Sequence, residues 1–398
     1  MNSVEELKRI AENKGVIFYG AGDFLKNILS FTELYGISPE LIVDNDIKKR
    51  GQSYERFIIS SSEILQDEKY RGYAILISSK NYADDIETSI KRTYGEKFSV
   101  FRFPLEEKKA SNYAIEKYLI KPCERMYREL GYLDDHQIDD LVSRISVNRI
   151  TIPRIPLIIT TRCTLRCKEC SNLIPLYSQP KDYDANEILM WVEYLLRHVD
   201  EIIVLELVGG EPFLHGELNI LLKTLINKDS IRKIEITTNG TVLPSKATLD
   251  FLKNEKVVVL VSEYPGIVNN QRLINTFKEH DVAYRVMRNM KWISNGNIER
   301  RNKSNKSLVR QYEACGPAKY CRTILNGKLF NCSKAASLFE LGVNSDIRYI
   351  SLVNNIESNK MEEQLFDFIT RPDYMACDYC DMFSENEKYV HPAEQLNN

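Results

Sequence analysis

Cys163, Cys167 and Cys170 stand in the run Thr161-Arg162-Cys163-Thr164-Leu165-Arg166-Cys167-Lys168-Glu169-Cys170, just after the strand-like stretch Leu157 to Thr161. Three thiols on one loop at a strand end constrain this chain more than any other feature. A cubic 4Fe-4S cluster normally takes four thiolates, so a loop that supplies three leaves one iron open to a small chelating ligand. A structural zinc knuckle is the competing reading. Zinc pairs usually come as CxxC with a second pair or histidines nearby, and none follows closely here.

The surroundings of that loop read as α/β. From about residue 154 to 290, strands are expected at Leu157 to Thr161, Ile202 to Val208, Lys233 to Thr237, Val257 to Val261 and Ala283 to Met287. Helical patterns fall between them, the clearest being Ile188, Val192, Leu195 and Val199. Right-handed crossovers curl such a series into a partial or complete βα barrel, in which chemistry collects at the C-terminal strand ends. A sixth strand has no clear place.

The first 105 residues alternate in the same way. Val16 to Tyr19, Leu41 to Asp44, Ala74 to Ile77 and Val100 to Phe103 read as strands, with helical segments through Phe24, Leu25, Ile28 and Leu29 and around Ile86 to Ile90. This is a small Rossmann-like parallel-sheet unit. Its Gly20-Ala21-Gly22 turn opens a helix, and Asp44 lies twenty-two residues after Gly22, where an acidic residue meets a ribose in dinucleotide sites. A third glycine is missing, Leu25 standing in its place, so the glycines serve equally well as a tight strand-to-helix turn. Residues 106–150, with Tyr113, Ile115, Tyr118 and Leu119 and then Ile138, Leu141, Val142 and Ile145, read as a helical connector, and its lone Cys123 as a buried inert thiol. Residues 293–310 read as a polar, exposed crossing.

Lys+Arg 54 against Asp+Glu 56 gives a net charge of −2, which makes no global case for nucleic acid or an anionic membrane. No stretch approaches the ~18 apolar residues of a membrane span, and the start has no basic-then-apolar leader. A cytoplasmic protein with a small-molecule substrate is expected. Nine cysteines, clustered as a triplet and a late group, suit metal ligation in a reducing compartment better than disulfides.

After the second barrel strand comes Val208-Gly209-Gly210-Glu211-Pro212. Together with CxxxCxxC one strand earlier, this GGE run resembles the radical S-adenosylmethionine (radical SAM) superfamily. The resemblance covers about 135 residues and implies a SAM-binding 4Fe-4S cluster on Cys163, Cys167 and Cys170. Gly209, Gly210 and Glu211 would meet the methionine end of SAM, and Thr238, Asn239 and Ser262, at the third and fourth strand ends, its ribose and carboxylate. The family usually carries an aromatic residue just before the third cysteine, near the adenine; here that residue is Glu169. The implied mechanism is one-electron cleavage of SAM, with a flavodoxin- or ferredoxin-type reductant, to a 5′-deoxyadenosyl radical that abstracts a substrate hydrogen atom.

The tail refines the expectation. Thr323-Ile324-Leu325 and Lys328-Leu329-Phe330 flank Asn326-Gly327, a type I′ hairpin signal, with cysteines at 315, 321 and 332 around it and Cys377 and Cys380 beyond. The layout resembles the SPASM and shorter twitch extensions of radical SAM enzymes. It implies one auxiliary 4Fe-4S cluster on Cys315, Cys332, Cys377 and Cys380, with zinc as the competitor. Cys321 is left over as an inert thiol, a replacement ligand for Cys315, or a hydrogen donor in catalysis. The division expected is 1–105 Rossmann-like, 106–150 connector, 151–292 radical SAM partial (β/α)6 barrel, and 293–398 auxiliary-cluster domain. By resemblance, the function is oxidation of a sugar-like, nucleotide-sugar-like or polyol molecule, with epimerisation or dehydration next. Radical modification of a ribosomally made peptide is the alternative, and a non-catalytic iron or zinc protein the reading from another class.

Overall fold

The structure is a computed structural model and describes residues 4–22, 25–79, 82–102, 115–131, 133–145, 149–295, 297–353 and 358–396. The chain divides into two compact units, residues 1–114 with 302–314, and residues 115–301 with 315–398.

The first unit holds β1 (Val16–Tyr19), β2 (Leu41–Asp44), β3 (Ser53–Tyr54), β4 (Phe57–Ser61), β5 (Ala74–Ile77) and β6 (Ser99–Arg102) in the order β3-β4-β2-β1-β5-β6. All neighbours run parallel except the β3/β4 hairpin at the edge. β1 and β5 are buried throughout, as central parallel strands with helices on both faces must be. Alternate residues feed two cores: Val16 and Phe18 pack with Leu25 and Leu29, whereas Ile17 and Tyr19 pack with Leu65 and Ile90. The strands expected at β1, β2 and β5 lie where the sequence puts them; β3 and β4 carry no such signal. Phe24, Phe103 and Tyr113 fall outside the described residues.

The helix Asn305–Ala314 groups with this first unit. An exposed crossing is expected there, but Leu308, Val309 and Tyr312 form a buried face hidden in a polar composition, and Asn305 Nδ2 donates to Pro39 O over 3.1 Å.

In the second unit β7 (Thr151–Thr160), β8 (Glu201–Gly209), β9 (Ile231–Thr238), β10 (Val257–Ser262) and β11 (Tyr284–Met287) follow one another, parallel and adjacent. The helices Ala185–Leu196, Leu218–Leu225, Lys246–Leu252 and Gln271–Glu279 fill the crossovers. The next strand in the chain, β12 (Trp292–Ile293), does not extend the edge; it pairs antiparallel with β16 (Tyr389–Val390). The sixth parallel neighbour comes from the tail instead. β13 (Thr323–Leu325) lies beside β7 and turns through Asn326-Gly327 into β14 (Lys328–Phe330), which pairs with β15 (Ile350–Ser351). Asn326 at φ 47° and Gly327 at φ 71° make the left-handed pair that a type I′ turn needs. Among the described residues the sheet stays open, a partial barrel, with Thr160, Gly209, Thr238 and Ser262 closing their strands at one edge. No helix among them is long and apolar enough to cross a membrane.

Candidate radical SAM site

The loop after β7 is anchored before it reaches the cysteines. Thr160 Oγ1 donates to Asp182 Oδ1 (2.6 Å) and accepts from Arg162 N (3.0 Å), while Thr161 exchanges bonds with Lys181. The three sulfurs then meet N–H groups. Leu165 N (3.4 Å) and Asn239 Nδ2 (3.5 Å) point at Cys163 Sγ, and Gln395 Nε2 at Cys167 Sγ (3.4 Å). The backbone amides of Asn172, Leu173 and Ile174 point at Cys170. Burial pushes the Cys163 thiol up to about 11, and raises Cys167 and Cys170 too. Buried thiols facing donors become thiolates when a cation displaces their protons.

These cysteines border a recess of about 690 Å³ of empty space, partly open to solvent and shared with Val208, Gly209, Gly210, Thr237, Thr238, Asn239, Ser262, Tyr264 and Trp292 among others. Among the described residues no three His, Cys, Asp or Glu converge closely enough for a single metal ion. Sulfurs spread around a recess suit a 4Fe-4S cluster better than one tetrahedral zinc with bonds of about 2.3 Å.

The GGE run does two jobs. A Cβ on Gly209 would overlap Thr160 O, and one on Gly210 would overlap Arg162 O and lie 2.9 Å from Cys163 Cβ. Gly210 N and Glu211 N donate to those same carbonyls at 2.9 and 2.8 Å. The missing side chains therefore let the β8 turn dock on the cysteine loop, while both glycines still line the recess. Glu211 lies behind the wall, fully buried. Its carboxylate accepts from Thr238 Oγ1 (2.8 Å), Asn239 N (2.8 Å) and Phe213 N (3.1 Å), a strut between the β8 and β9 ends. Burial pushes it up to about 7, against the pull of those donors. At the β10 end Ser262 O accepts from Asn270 Nδ2 (2.9 Å), and Tyr264 and Trp292 meet edge to face at 5.7 Å on the recess wall. Glu169 does not face the recess in that way; its Oε2 accepts from Asn295 N at 2.8 Å.

In the tail, Cys315 and Cys332 occupy the positions just before the helices Gly316–Tyr320 and Ser333–Glu340, and Cys377 and Cys380 lie on a short turn. Cys315, Cys332, Cys377 and Cys380 act on one another electrostatically, and burial pushes Cys315 up to about 11 and Cys332 up to about 12. Cys321 keeps other company: burial raises its thiol, and its strongest charged neighbours are Glu206 and Arg154. Arg154 binds Glu206 (2.9 Å) and Glu235 (2.6 Å), and Thr237 Oγ1 closes on Glu206 (2.6 Å). Cys123 is buried with its thiol on Thr151 O, and His215 is taken up by Tyr183 O and Glu217 N.

The first unit's Gly20, Gly22 and Asp44 form their own constellation. Gly20 sits at φ 114° with Ser78 Oγ on its carbonyl at 2.5 Å. Asp44 accepts from Ala21 N (2.6 Å), Asp46 N (2.8 Å) and Lys49 Nζ (3.3 Å). Burial pushes this carboxyl up, but the donors outweigh it and hold it below its usual value. The geometry makes Asp44 a clamp on the glycine turn.

Sequence reasoning missed Asn172, whose Nδ2 holds Gly209 O (3.1 Å), Lys334, and Gln395. The last belongs to a segment that bridges onto the cysteine loop, with Arg166 N on Gln395 Oε1 (2.7 Å), Lys168 N on Glu394 O (2.7 Å) and Leu396 N on Arg166 O (2.8 Å).

Residues 157–293 match the radical SAM superfamily. This stretch is a radical SAM domain. The cofactors of such a domain are a 4Fe-4S cluster and SAM, and the thiol triplet with its N–H donors fits them. Among curated proteins, the radical SAM stretch is similar to the GTP 3′,8-cyclase of Campylobacter jejuni subsp. doylei, 33% identical over 122 residues, covering 30% of this chain and 33% of that protein. The GTP 3′,8-cyclase of Stenotrophomonas maltophilia strain R551-3 is 32% identical over 98 residues, covering 24% and 29%. The chain thus spans about a third of the length of the curated relatives it matches. Among solved structures, BtrN in complex with AdoMet and 2-DOIA is 14% identical over 62% of this chain and 97% of its own, with a TM-score of 0.38. AnSMEcpe with bound AdoMet and Kp18Cys peptide is 21% identical over 33% and 42%, with a TM-score of 0.27.

Proposed function

We propose that this chain is a radical SAM enzyme that takes a hydrogen atom from a small polar molecule. The supporting observation is one recess that gathers Cys163, Cys167 and Cys170 with Gly209, Gly210, Thr238, Asn239 and Ser262. When bound there, the cluster and SAM supply one-electron cleavage of a sulfonium and a hydrogen-abstracting group. The chain's own residues do the rest. The loop amides and Asn239 orient the sulfurs, and the Glu211 strut fixes Thr238 and Asn239 against the β8 turn. Tyr264 and Trp292 offer an aromatic wall in the absence of an aromatic at position 169, and with Val208 and Leu165 exclude water from reactive species.

The finer reading is oxidation of a sugar-like or polyol substrate, the tail cysteines Cys315, Cys332, Cys377 and Cys380 holding an auxiliary cluster that accepts the second electron. A nucleotide substrate is the second reading, favoured by the GTP 3′,8-cyclases among the relatives. The test is anaerobic reconstitution, dithionite reduction and measurement of 5′-deoxyadenosine. The expected result is SAM cleavage that Cys163→Ala abolishes, and deuterium transfer from a labelled polyol rather than from labelled GTP. No cleavage in the wild type overturns the enzyme reading; transfer from GTP replaces the first substrate reading with the second.

A further inference from the structure

One helix touches both cysteine sites. Ser333–Glu340 begins at Cys332, whose sulfur takes Ala335 N at 3.4 Å. One turn on, Ser337 Oγ donates to Asn172 O at 2.9 Å, two residues past Cys170 and on the wall of the recess. Between these anchors lies Lys334, a lysine only 5% exposed. Its Nζ donates to Asn295 O (2.7 Å) and Asn297 O (2.6 Å). The same Asn295 gives its backbone N–H to Glu169, the residue beside Cys170.

Burying an ammonium is costly unless charge of opposite sign compensates it, and carbonyl oxygens are neutral partners. The compensating charges lie further off. Lys334 is within electrostatic reach of Cys332, Cys380 and Glu169, and also of Cys170. It is the buried cation that both cysteine sets share, and Arg301, also near it, is already bound to Asp381 at 2.8 Å.

We propose that Lys334 is a positioning residue for electron transfer: its fixed positive charge raises the reduction potentials of the centres held by Cys163, Cys167 and Cys170 and by Cys315, Cys332, Cys377 and Cys380. The inference rests on the two-cluster reading above. Four thiolates around a cluster leave it anionic, and each one-electron reduction adds a further negative charge, which a nearby ammonium stabilises. The electron comes from a low-potential one-electron donor, the ammonium keeps its proton, and no covalent bond changes. The Glu169-Asn295-Lys334 chain also accounts for the carboxylate at a position where an aromatic is usual. It ties the loop 294–297 to the third cysteine and offsets part of the lysine charge.

The experiment is potentiometric EPR titration of anaerobically reconstituted wild type, Lys334→Met and Lys334→Arg, with iron and sulfide counted in each. The wild type is expected to show two separable centres. Lys334→Met is expected to keep both but shift at least the tail centre to lower potential, by about tenfold in the reduction equilibrium or about 59 mV for one electron. Lys334→Arg is expected to restore it. Two centres with unmoved potentials in Lys334→Met overturn the inference alone. Fewer than two centres in the wild type overturn the two-cluster reading and the inference with it. Loss of iron from the Met and Arg variants alike makes Lys334 a structural prop and also overturns the proposal.

Discussion

The two cysteine sites are built in opposite ways. Cys163, Cys167 and Cys170 sit on one loop whose flanks are tied to β7, so the loop presents three sulfurs almost by itself. Cys315, Cys332, Cys377 and Cys380 come from two helix starts and a turn spread over 66 residues, and only the fold of the tail brings them together. A contiguous site tolerates changes elsewhere, whereas a dispersed one fails when any of its elements shifts.

The comparison breaks most visibly at the loop. Cys163→Ala is expected to remove about four irons per chain and all reductive SAM cleavage, read by iron analysis and 5′-deoxyadenosine; retained cleavage would show the triplet is not the cofactor site. Cys332→Ala is expected to remove a similar amount of iron yet leave SAM cleavage within about fivefold of wild type while abolishing product, which separates the two sites' roles. If both activities vanish together, the division fails.

Glu211 gives a pH test. Its folded-state value near 7 lies above the unfolded one, so burial penalises the ionised form. Stability tied to this group is fully present below about pH 4.5 and is lost as pH rises through about 7, on the order of 3 kcal/mol in all. Thermal unfolding of the apo-protein from pH 5 to 8 should therefore fall more steeply in the wild type than in Glu211→Gln; equal slopes would refute the assignment. Gln395→Ala removes the side-chain contacts to Cys167 and Arg166, costing about 1–2 kcal/mol of local stability, seen as faster amide exchange at residues 163–170 with the tail unaffected. Smallest of all, Cys321→Ser should leave both iron counts unchanged, because that thiol faces Arg154 and Glu206 rather than the other four; a lost cluster would make it a ligand.

Much of this architecture is legible in the chain because its signals are local. β1, β2 and β5 are short apolar runs between turn residues, and the Asn326-Gly327 hairpin announces its own dihedral angles. The triplet is contiguous, and GGE follows its strand directly. What stays hidden depends on partners far away in sequence. β13 joins β7 across more than 160 residues. Asn172, Lys334 and Gln395 are ordinary polar residues until the fold sets them beside a sulfur, a carbonyl or a strand end. The helix Asn305–Ala314 escapes because three apolar residues among ten give a weak stripe, and only packing with another unit makes it worth burying.

The strap formed by Ala393 to Leu396 bears on how the protein is made. Arg166 receives Gln395 from 229 positions downstream, and a ribosome that emits about 5–20 residues per second delivers that segment many seconds after the loop has emerged. Until then the loop lacks its last fastening, so metal loading during synthesis meets an unlatched acceptor, and loading afterwards meets a closed one. Scaffold proteins that hand over iron and sulfide would find their best opportunity in that interval.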